Sequence, residues 1–390
     1  SQKNSLCGSG IKGEGTGFRN FWGFTHADNN GPSRAFMFGL SNDLGPRAFN
    51  GNLSDNYTQQ NNITFKTQRD LWEGAKINID WKVAWGMNKK STIQTDSLGN
   101  ITITNLTSTG TIDRSFLHLP NQLIFSFLGN GINKVAELYD PNAPNSTQNL
   151  SDAFIEGMET LPLLSKIPFL ANVAKYIPRP NWSISWSGLE KISFIEGFAQ
   201  RISLSHAYTS SFSEGWKINP DGNQQIQTQK ISYGFSPLVG MNLTFNELWG
   251  GNLTGSIKYS TRTNYNLGVS TRNISESLSQ DINVTASFSK SGFEIPLFGL
   301  SLKNDLEISF AYTMGKNSTV IYEMDDFKEE GTPQDGTTRT TIEPRIKYVM
   351  SSKVTLSLFY KRTSVMPEGA ARIPPTTTNE AGLDVHIAIR

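Results

Sequence analysis

The sequence predicts an all-β fold, an antiparallel transmembrane β-barrel wall with a short helical insertion. The first observation behind this prediction is a strict alternation of apolar and polar residues, the period of a strand with one apolar face. The second is the length of the alternating runs. The run from Ala75 to Trp85 has 11 residues, whereas strands of soluble proteins usually have about five or six and membrane-barrel strands need roughly 9 to 11.

The chain divides into four expected segments. Residues 1–57 are rich in glycine and aromatic residues and lack periodicity, so we expect loops with short strands there. Barrel strands are expected over 58–149 and again over 181–390, separated by turn-forming stretches such as 219–223 and 332–338. Tight reversals make consecutive strands antiparallel neighbours, and the runs suggest roughly a dozen to sixteen strands.

The remaining segment, 150–180, has a helical pattern and is expected to be a helical or loop insertion between the two groups of strands. Ser151 is the expected N-cap. Phe154, Met158 and Leu161 would then share one side of the helix, because residues three or four apart are neighbours on a helix.

The apolar side of the strand runs is predicted to face lipid. Several of its aromatic residues lie near the ends of the apolar runs, as in the aromatic girdles of outer-membrane barrels. The predicted lipid-facing residues are Ile77, Ile79, Trp81, Val83, Trp85, Trp182, Ile184, Trp186, Leu306, Ile308, Phe310, Tyr312, Leu356, Leu358 and Tyr360.

The opposite side of the same runs carries charged, Asn, Ser and Thr side chains, which would face water. Such residues could only face water or a polar lumen. The predicted lumen-facing residues are Lys76, Asn78, Asp80, Lys82, Glu307, Arg345 and Lys347.

The residues supply no recognisable catalytic chemistry. A single cysteine, Cys7, excludes an internal disulfide framework and a multi-cysteine metal site. The four histidines, His26, His118, His206 and His386, have no metal-ligand spacing and are interpreted as surface or strand-face residues. A net charge of +1 gives no reason to expect a nucleic-acid partner. We therefore expect no enzymatic activity, no metal and no cofactor.

Several sequence blocks resemble a known family. They are "IPRPNWSISWSGLEKI" at 177–192, "ISLSHAYTSSFSEG" at 202–215, "YGFSPLVGMNLTF" at 233–245, "GSIKYSTRTNYNLGVS" at 255–270 and "IPPTTTNEAGLDVHIAIR" at 373–390. In their order and spacing they closely resemble the C-terminal part of the SprA/Sov family of gliding-motility and cell-surface proteins. The resemblance extends over most of the chain from about residue 45 onward.

The resemblance implies a function and a set of partners. It implies the outer-membrane translocon of the type IX secretion system, a very large barrel through which folded cargo proteins reach the cell surface. This chain would be a C-terminal piece of the wall, completed by the rest of the barrel chain. Implied partners are outer-membrane lipid, a smaller shuttle barrel, a plug protein and the secreted cargo. The opening residues, "SQKNSLCGSG", are interpreted as those of a processed chain or a fragment.

The residue pattern alone leaves two alternatives open. One is an exported soluble β-protein, an adhesin or carbohydrate-binding surface protein, because a soluble sandwich also packs one face inward and wets the other. The second is a nutrient-uptake barrel, which would have the same wall but pass small solutes.

Overall fold

The strands form one antiparallel sheet. The computed structural model describes residues 2–8, 52–95, 101–119, 131–159, 177–218, 222–297, 300–351, 353–370 and 374–388. Thirteen strands lie in the sheet, and except at one position neighbours in the sheet are neighbours in sequence. The predicted fold class, an antiparallel all-β wall with a short helical insertion, is confirmed. Most of the 1–57 segment lies outside the described residues.

The strands are long. Two of them have seven residues, and the others have 12 to 25. Their bounds are β1 Gln2–Gly8, β2 Asn52–Trp72, β3 Ala75–Thr95, β4 Ile101–Ser115, β5 Asn181–Ser187, β6 Ala199–Ile218, β7 Gln224–Phe245, β8 Asn252–Gly268, β9 Asn273–Leu297, β10 Leu300–Glu323, β11 Thr332–Val349, β12 Val354–Glu368 and β13 Thr376–Ile387.

The sheet has two ends, each named by one of its connections. The 73–74 end carries the reversals at 73–74, 188–198 and 246–251, and the 324–331 end carries those at 269–272 and 324–331. The turn expected at 332–338 was wrong, because these residues begin β11. The pairing with β10 extends to Thr332, opposite Ile321, so the reversal is complete before that residue.

One place in the sheet, between β3 and β6, is occupied by two strands that follow each other end to end. β4 pairs with β3 along Val83–Thr95, and β5 pairs with β3 along Ala75–Asp80. Both also pair with β6. β4 and β5 run in the same direction, so they are two halves of one strand that the chain leaves after Ser115 and re-enters at Asn181.

Hydrogen bonds close the gap between the two halves. The Arg179 amide donates to the Ser115 carbonyl at 2.9 Å, and the Ser210 amide donates to the Asn181 side chain at 2.8 Å. The Phe116 amide in turn donates to the Ser210 carbonyl at 3.2 Å. Backbone groups next to the break are therefore paired, as buried backbone groups must be.

The insertion between these halves spans residues 116–180. The strands expected over 58–149 therefore end at Ser115, and the insertion begins well before the expected residue 150. Its described helices are α1, Gly131–Leu138, and α2, Ser146–Met158. The early boundary was missed because α1 has only eight residues, too few for a clear periodic signal.

The two helices pack against the sheet through apolar side chains. Ile132 and Val135 of α1 and Leu150, Phe154 and Met158 of α2 are buried in one cluster with the aromatic residues of β6, β7 and β8. The expected side for Phe154 and Met158 is thus confirmed, whereas Leu161 lies outside the described residues.

Ser151 is not the N-cap of α2. It lies inside the helix, where its hydroxyl donates to the Thr147 carbonyl at 3.1 Å. The helix begins six residues earlier than expected because it starts with a polar turn, Ser146–Asn149, which carries no apolar periodicity in the sequence.

A second, smaller cluster lies at the 73–74 end. The connection 188–198 contains a 3₁₀ turn, Leu189–Lys191, and a short helix α3, Ser193–Glu196. Leu189 and Ile195 are buried there with Ala199 and Ile202 of β6. No helix among the described residues is both long and apolar enough to cross a bilayer.

Gly157 is where α2 comes closest to α1. A Cβ added at Gly157 would lie 2.7 Å from the backbone nitrogen of Val135, which cannot move aside as a side-chain tip can. We predict that Gly157→Ala destabilises the helical pair by about 1–3 kcal/mol, the usual size of overpacking. Amide hydrogen exchange of 131–159 should become faster. Gly197→Ala is the control, since a Cβ there meets nothing within 4 Å, and equal effects of the two variants would contradict the prediction.

Candidate functional site

Cross-strand pairing assigns every strand residue to one of two faces. Residues directly opposite each other in neighbouring strands point to the same face, and alternate residues along a strand point to opposite faces. One row of mutually paired residues crosses seven strand positions and is called the paired row: Ile79, Trp182, Tyr208, Phe235, Thr261, Gln280 and Lys316.

All the residues predicted to face lipid lie on the face of this row, which is called the apolar face below. Paired apolar residues run across neighbouring strands, as from Ile308 to Ile346 and on to Leu358 and Leu383. Ile308, Leu358 and Leu383 are 40%, 51% and 59% exposed. The register thus joins separate sequence runs into one continuous exposed apolar band.

All the residues predicted to line the lumen lie on the other face, called the polar face. On the polar face, neighbouring strands are joined by short polar contacts and by ion pairs, so positive and negative side chains both occur there. The Ser256 and Thr285 hydroxyls are 2.7 Å apart, and Lys347 lies 3.4 Å from Glu307. Within β11, Arg345 also lies 3.2 Å from Glu343, two residues away on the same face. The structure places both predicted sets on single faces; which face meets lipid stays a prediction.

The apolar band crosses the strands obliquely. On β3 the centre of the band, Trp81, lies two residues from the paired row towards the 324–331 end. On β10 the centre, Phe310, lies six residues from the row towards the 73–74 end. Across six strand spacings the band therefore shifts by eight residues, which is about 26 Å along the strands for about 29 Å across them. The strands are tilted by about 40° from the normal to the band.

The height of the band follows from the same geometry. On β10 it extends from Leu306 to Met314, which is about 26 Å along the strand and about 20 Å along the normal at that tilt. Strands of transmembrane barrels are tilted by about 35–45°, and their apolar band is about 25 Å tall. The tilt lies within this range, and the height is about 5 Å below the usual value.

Aromatic side chains line both borders of the band. At the border towards the 73–74 end, Trp72 and Trp186 form an edge-on pair 5.2 Å apart, and Trp249 packs edge-on against Phe288 at 6.1 Å. At the other border the Tyr360 hydroxyl donates to Asn379 at 2.8 Å. An apolar ring with a polar edge suits the boundary between hydrocarbon and water.

The helical insertion lies on the apolar face. Its cluster includes Tyr208 and Phe235, which belong to the paired row, and Tyr265, which lies farther along the same face. The helices therefore cover the strip from the paired row to the 324–331 end, which includes part of the band on β5 and β6, where Trp182 packs against their cluster. The sequence could not predict on which side of the wall the insertion lies, since that depends on pairings between distant strands.

Polar contacts hold the insertion to loops of distant strands. The Tyr139 hydroxyl donates to Asp325 at 2.9 Å, and the Asn133 amide donates to Glu329 at 2.7 Å. Arg272 bridges Asp325 and Ser146, with 3.2 Å to each. The insertion therefore spans from the broken strand to the β10–β11 connection.

His118 is at the centre of this packing and is buried, so the expectation that it is a surface or strand-face residue was wrong. It follows the end of β4. Its ring packs against Tyr233, with 4.6 Å between centroids, and its Nδ1 contacts the Met158 carbonyl of α2. The Tyr208 hydroxyl donates to the His118 carbonyl. His206 and His386 lie in strands as expected, and His26 lies outside the described residues.

Buried charges also lie beneath the insertion. Arg114 is 2% exposed, and its guanidinium packs against the rings of both Phe116 and Phe212, 5.0 and 5.2 Å from their centroids. Glu159 and Arg179 form a buried ion pair nearby. One feature of the sequence indicates the burial of Arg114. This arginine alternates in step with Ile112 and Phe116, so it lies on the same face as these apolar residues. The arrangement buries charge for packing and exposes no reactive group to solvent.

Metal-binding geometry is absent from the described ranges. Within them, no group of three or more His, Cys, Asp or Glu side chains is arranged to hold a metal ion. The expectation that the protein has no metal, no cofactor and no enzymatic activity stays a prediction.

The pKa of His118 gives a test of this packing. Burial lowers that pKa from 6.5 to about 4, so the unfolded chain takes up a proton at a higher pH than the packed state does. The stabilisation is complete above about pH 6.5 and is lost as the pH falls towards 4, by a few kcal/mol at most. We expect hydrogen-exchange protection factors of 131–159 to fall over this range. His118→Gln, which cannot titrate, should be insensitive; a matching fall in this variant would refute the prediction.

Comparisons with known proteins add little to these observations. No family model matches the chain, and no curated protein matches it. Among solved structures, the chain is similar to OmpT (in-vitro folded), an outer membrane protein of Vibrio cholerae, with 8% identity and a TM-score of 0.21 over 86% of this chain and 97% of that one. A trimer form gives 9% identity and the same TM-score over 86% and 98%. At this TM-score the similarity carries no argument.

Proposed function

We propose that this chain forms part of the wall of an outer-membrane β-barrel that conducts proteins to the cell surface. The apolar face lies against lipid, and the polar face lines an aqueous passage. The observation that supports the proposal best is the oblique apolar band, because its tilt of about 40° lies in the range of barrel strands and its height of about 20 Å approaches the usual height of about 25 Å. Both quantities follow from the register between strands, which cannot be read from the alternation of residues along one strand.

A soluble sandwich accounts less well for the apolar face. A sandwich covers such a face with a second sheet about 10 Å away. Over the middle of the band from β9 to β13 no second sheet lies among the described residues, and Ile346, Leu358 and Val385 stay 43%, 51% and 53% exposed. An exposed apolar band across five neighbouring strands marks a contact with lipid or protein.

The edges of the sheet explain why the chain would be only part of a barrel. Within the described ranges, β1 and β13 each pair with one neighbour. In lipid an unpaired strand edge leaves backbone amides and carbonyls without partners, at a cost of several kcal/mol per group. We infer that the remaining wall, supplied by the rest of the barrel chain, pairs with these edges.

The secretion role rests on the resemblance of sequence blocks to the SprA/Sov family and on the character of the polar face. A passage that conducts folded proteins must not bind them, and mixed-sign pairs among Ser, Thr and Asn give neither an apolar patch nor a strong field. The type IX translocon, with shuttle barrel, plug and cargo as partners, is therefore our proposal. The chain itself would provide no catalytic group.

The orientation of the two faces can be tested with a lysine on each. Val284, at the centre of the band, and Thr285, its neighbour on the polar face, form a matched pair. Lysine at the midplane of a lipid-facing surface costs about 2–4 kcal/mol. We expect Val284→Lys to lower the unfolding temperature of the complete barrel in lipid and Thr285→Lys to leave it almost unchanged. A larger effect of Thr285→Lys would mean that the faces are reversed.

The cargo can be tested in cells. Deletion of the gene should cause many surface proteins to accumulate in the periplasm, while the uptake of small solutes continues. Fractionation should recover the protein with the outer membrane, in a form that needs detergent and migrates differently after heating. Impaired solute uptake with normal secretion would favour a nutrient barrel, and a freely soluble protein would favour an adhesin.

A further inference from the structure

A groove on the apolar face lies between β5, β6 and β7. Its volume is about 290 Å³, and it is lined by side chains of Trp72, Ile184, Trp186, Leu204, Leu238 and Val239, with His206 at its wall. For comparison, an engineered protein cavity of about 150 Å³ binds benzene. The groove lies inside the apolar band, beside its border towards the 73–74 end.

A bulge in β7 forms one side of the groove. β6 and β7 pair at Tyr208 with Phe235 and again at Ser205 with Gly240, so β7 has more residues than β6 between these points. Leu238 and Val239 lie in this bulge and line the groove, and Val239, which pairs with Tyr259 of β8, is 53% exposed. Gly240 closes the bulge, since a Cβ there would overlap the Ser205 hydroxyl.

The opposite side and the bottom are aromatic and aliphatic. The edge-on pair of Trp72 and Trp186 closes the groove at the border of the band. Leu204 and Trp186 pack against the small cluster of Leu189 and Ile195, which keeps this side in place. A chain in the groove would contact protein on more than one side, whereas a chain on the flat band contacts it on one.

His206 contributes no free polar group to the groove. Its Nε2 accepts a hydrogen bond from the Trp182 indole at 3.2 Å, and its Nδ1 donates to the Leu238 carbonyl at 2.7 Å. Both ring nitrogens therefore have partners within the wall. The lining contains no Asp, Glu, Lys or Arg side chain, so the groove suits a hydrocarbon ligand.

We propose that this groove retains one acyl chain of a membrane lipid. The inference rests on the proposed function, because only a face against lipid supplies such a ligand. The groove is continuous with the band and open along it, so a lipid can enter from the bilayer without leaving hydrocarbon. Retention comes from packing alone, since lipid tails are as apolar as the groove.

The test uses the complete barrel in vesicles of phosphatidylethanolamine and phosphatidylglycerol, with a trace of phosphatidylcholine that carries a diazirine on one acyl chain. After illumination, mass spectrometry locates the labelled residues. Labelling of 236–241 and 203–206 should exceed that around Phe310 by about threefold, a modest preference because packing alone favours the groove.

Variants distinguish an acyl chain that is retained in the groove from a groove that is simply exposed to lipid. Leu204→Trp fills the groove and should reduce its labelling to the level at Phe310, whereas Ile257→Trp, on the same band but outside the groove, should not change it. Val239→Ala removes the exposed side chain that forms one side of the groove. It should reduce the labelling of the groove as Leu204→Trp does, and it adds no bulk that could disturb folding.

Three outcomes would overturn the inference, and they differ in what they say of the proposed function. Even labelling of the band and the groove would leave the membrane wall intact and refute the retained chain. If the band is labelled by lipid but the groove is unlabelled and is found cross-linked to another polypeptide, the occupant of the groove is a protein. If the band is not labelled at all, the proposed function itself fails.

Discussion

The constraint on which the rest of the structure depends is that backbone amides and carbonyls need partners inside a bilayer. A single continuous sheet meets this requirement across its width, because each inner strand pairs on both sides. The broken strand is the place where the requirement is hardest to meet. Bonds from Arg179 to Ser115 and from Phe116 to Ser210 pair the backbone next to the gap, so a long excursion can leave the wall in the middle of a strand.

The insertion also shows where irregular backbone and buried polar side chains lie relative to the apolar band. Irregular backbone is tolerated at membrane depth only where protein covers it. The insertion begins beside Tyr208, where it covers part of the band, and extends towards the 324–331 end. Arg114 and His118 are buried beneath it. Its contacts with Asp325 and Glu329 link strands that are far apart in sequence. The helices thereby link the broken strand to the β10–β11 connection.

The two borders of the band differ in what covers the wall beyond them. Towards the 324–331 end the apolar face continues as aromatic residues beneath the helices. Towards the 73–74 end the connections are mostly short, and Trp72, Trp186 and Trp249 lie at the border itself. The proposed acyl-chain groove lies on this side, where the bulge in β7 interrupts an otherwise smooth surface.

By itself the sequence determined the face to which each strand residue belongs. The pleat of a strand sends alternate side chains to opposite sides whatever the strand pairs with, so Ile77 and Lys76 could be separated without knowledge of a neighbour. It also predicted an antiparallel order and a helix containing Phe154 and Met158, since these follow from local turns and periodicity.

Only the tertiary structure decided the features that need distant residues to meet. The break between β4 and β5 depends on the pairing of Asp80 with Asn181, about a hundred residues apart. The burial of His118, the side of the wall on which the helices lie and the tilt of the band all depend on the register between strands. Because register is set by long-range packing and by bulges, no local pattern in the chain could reveal it.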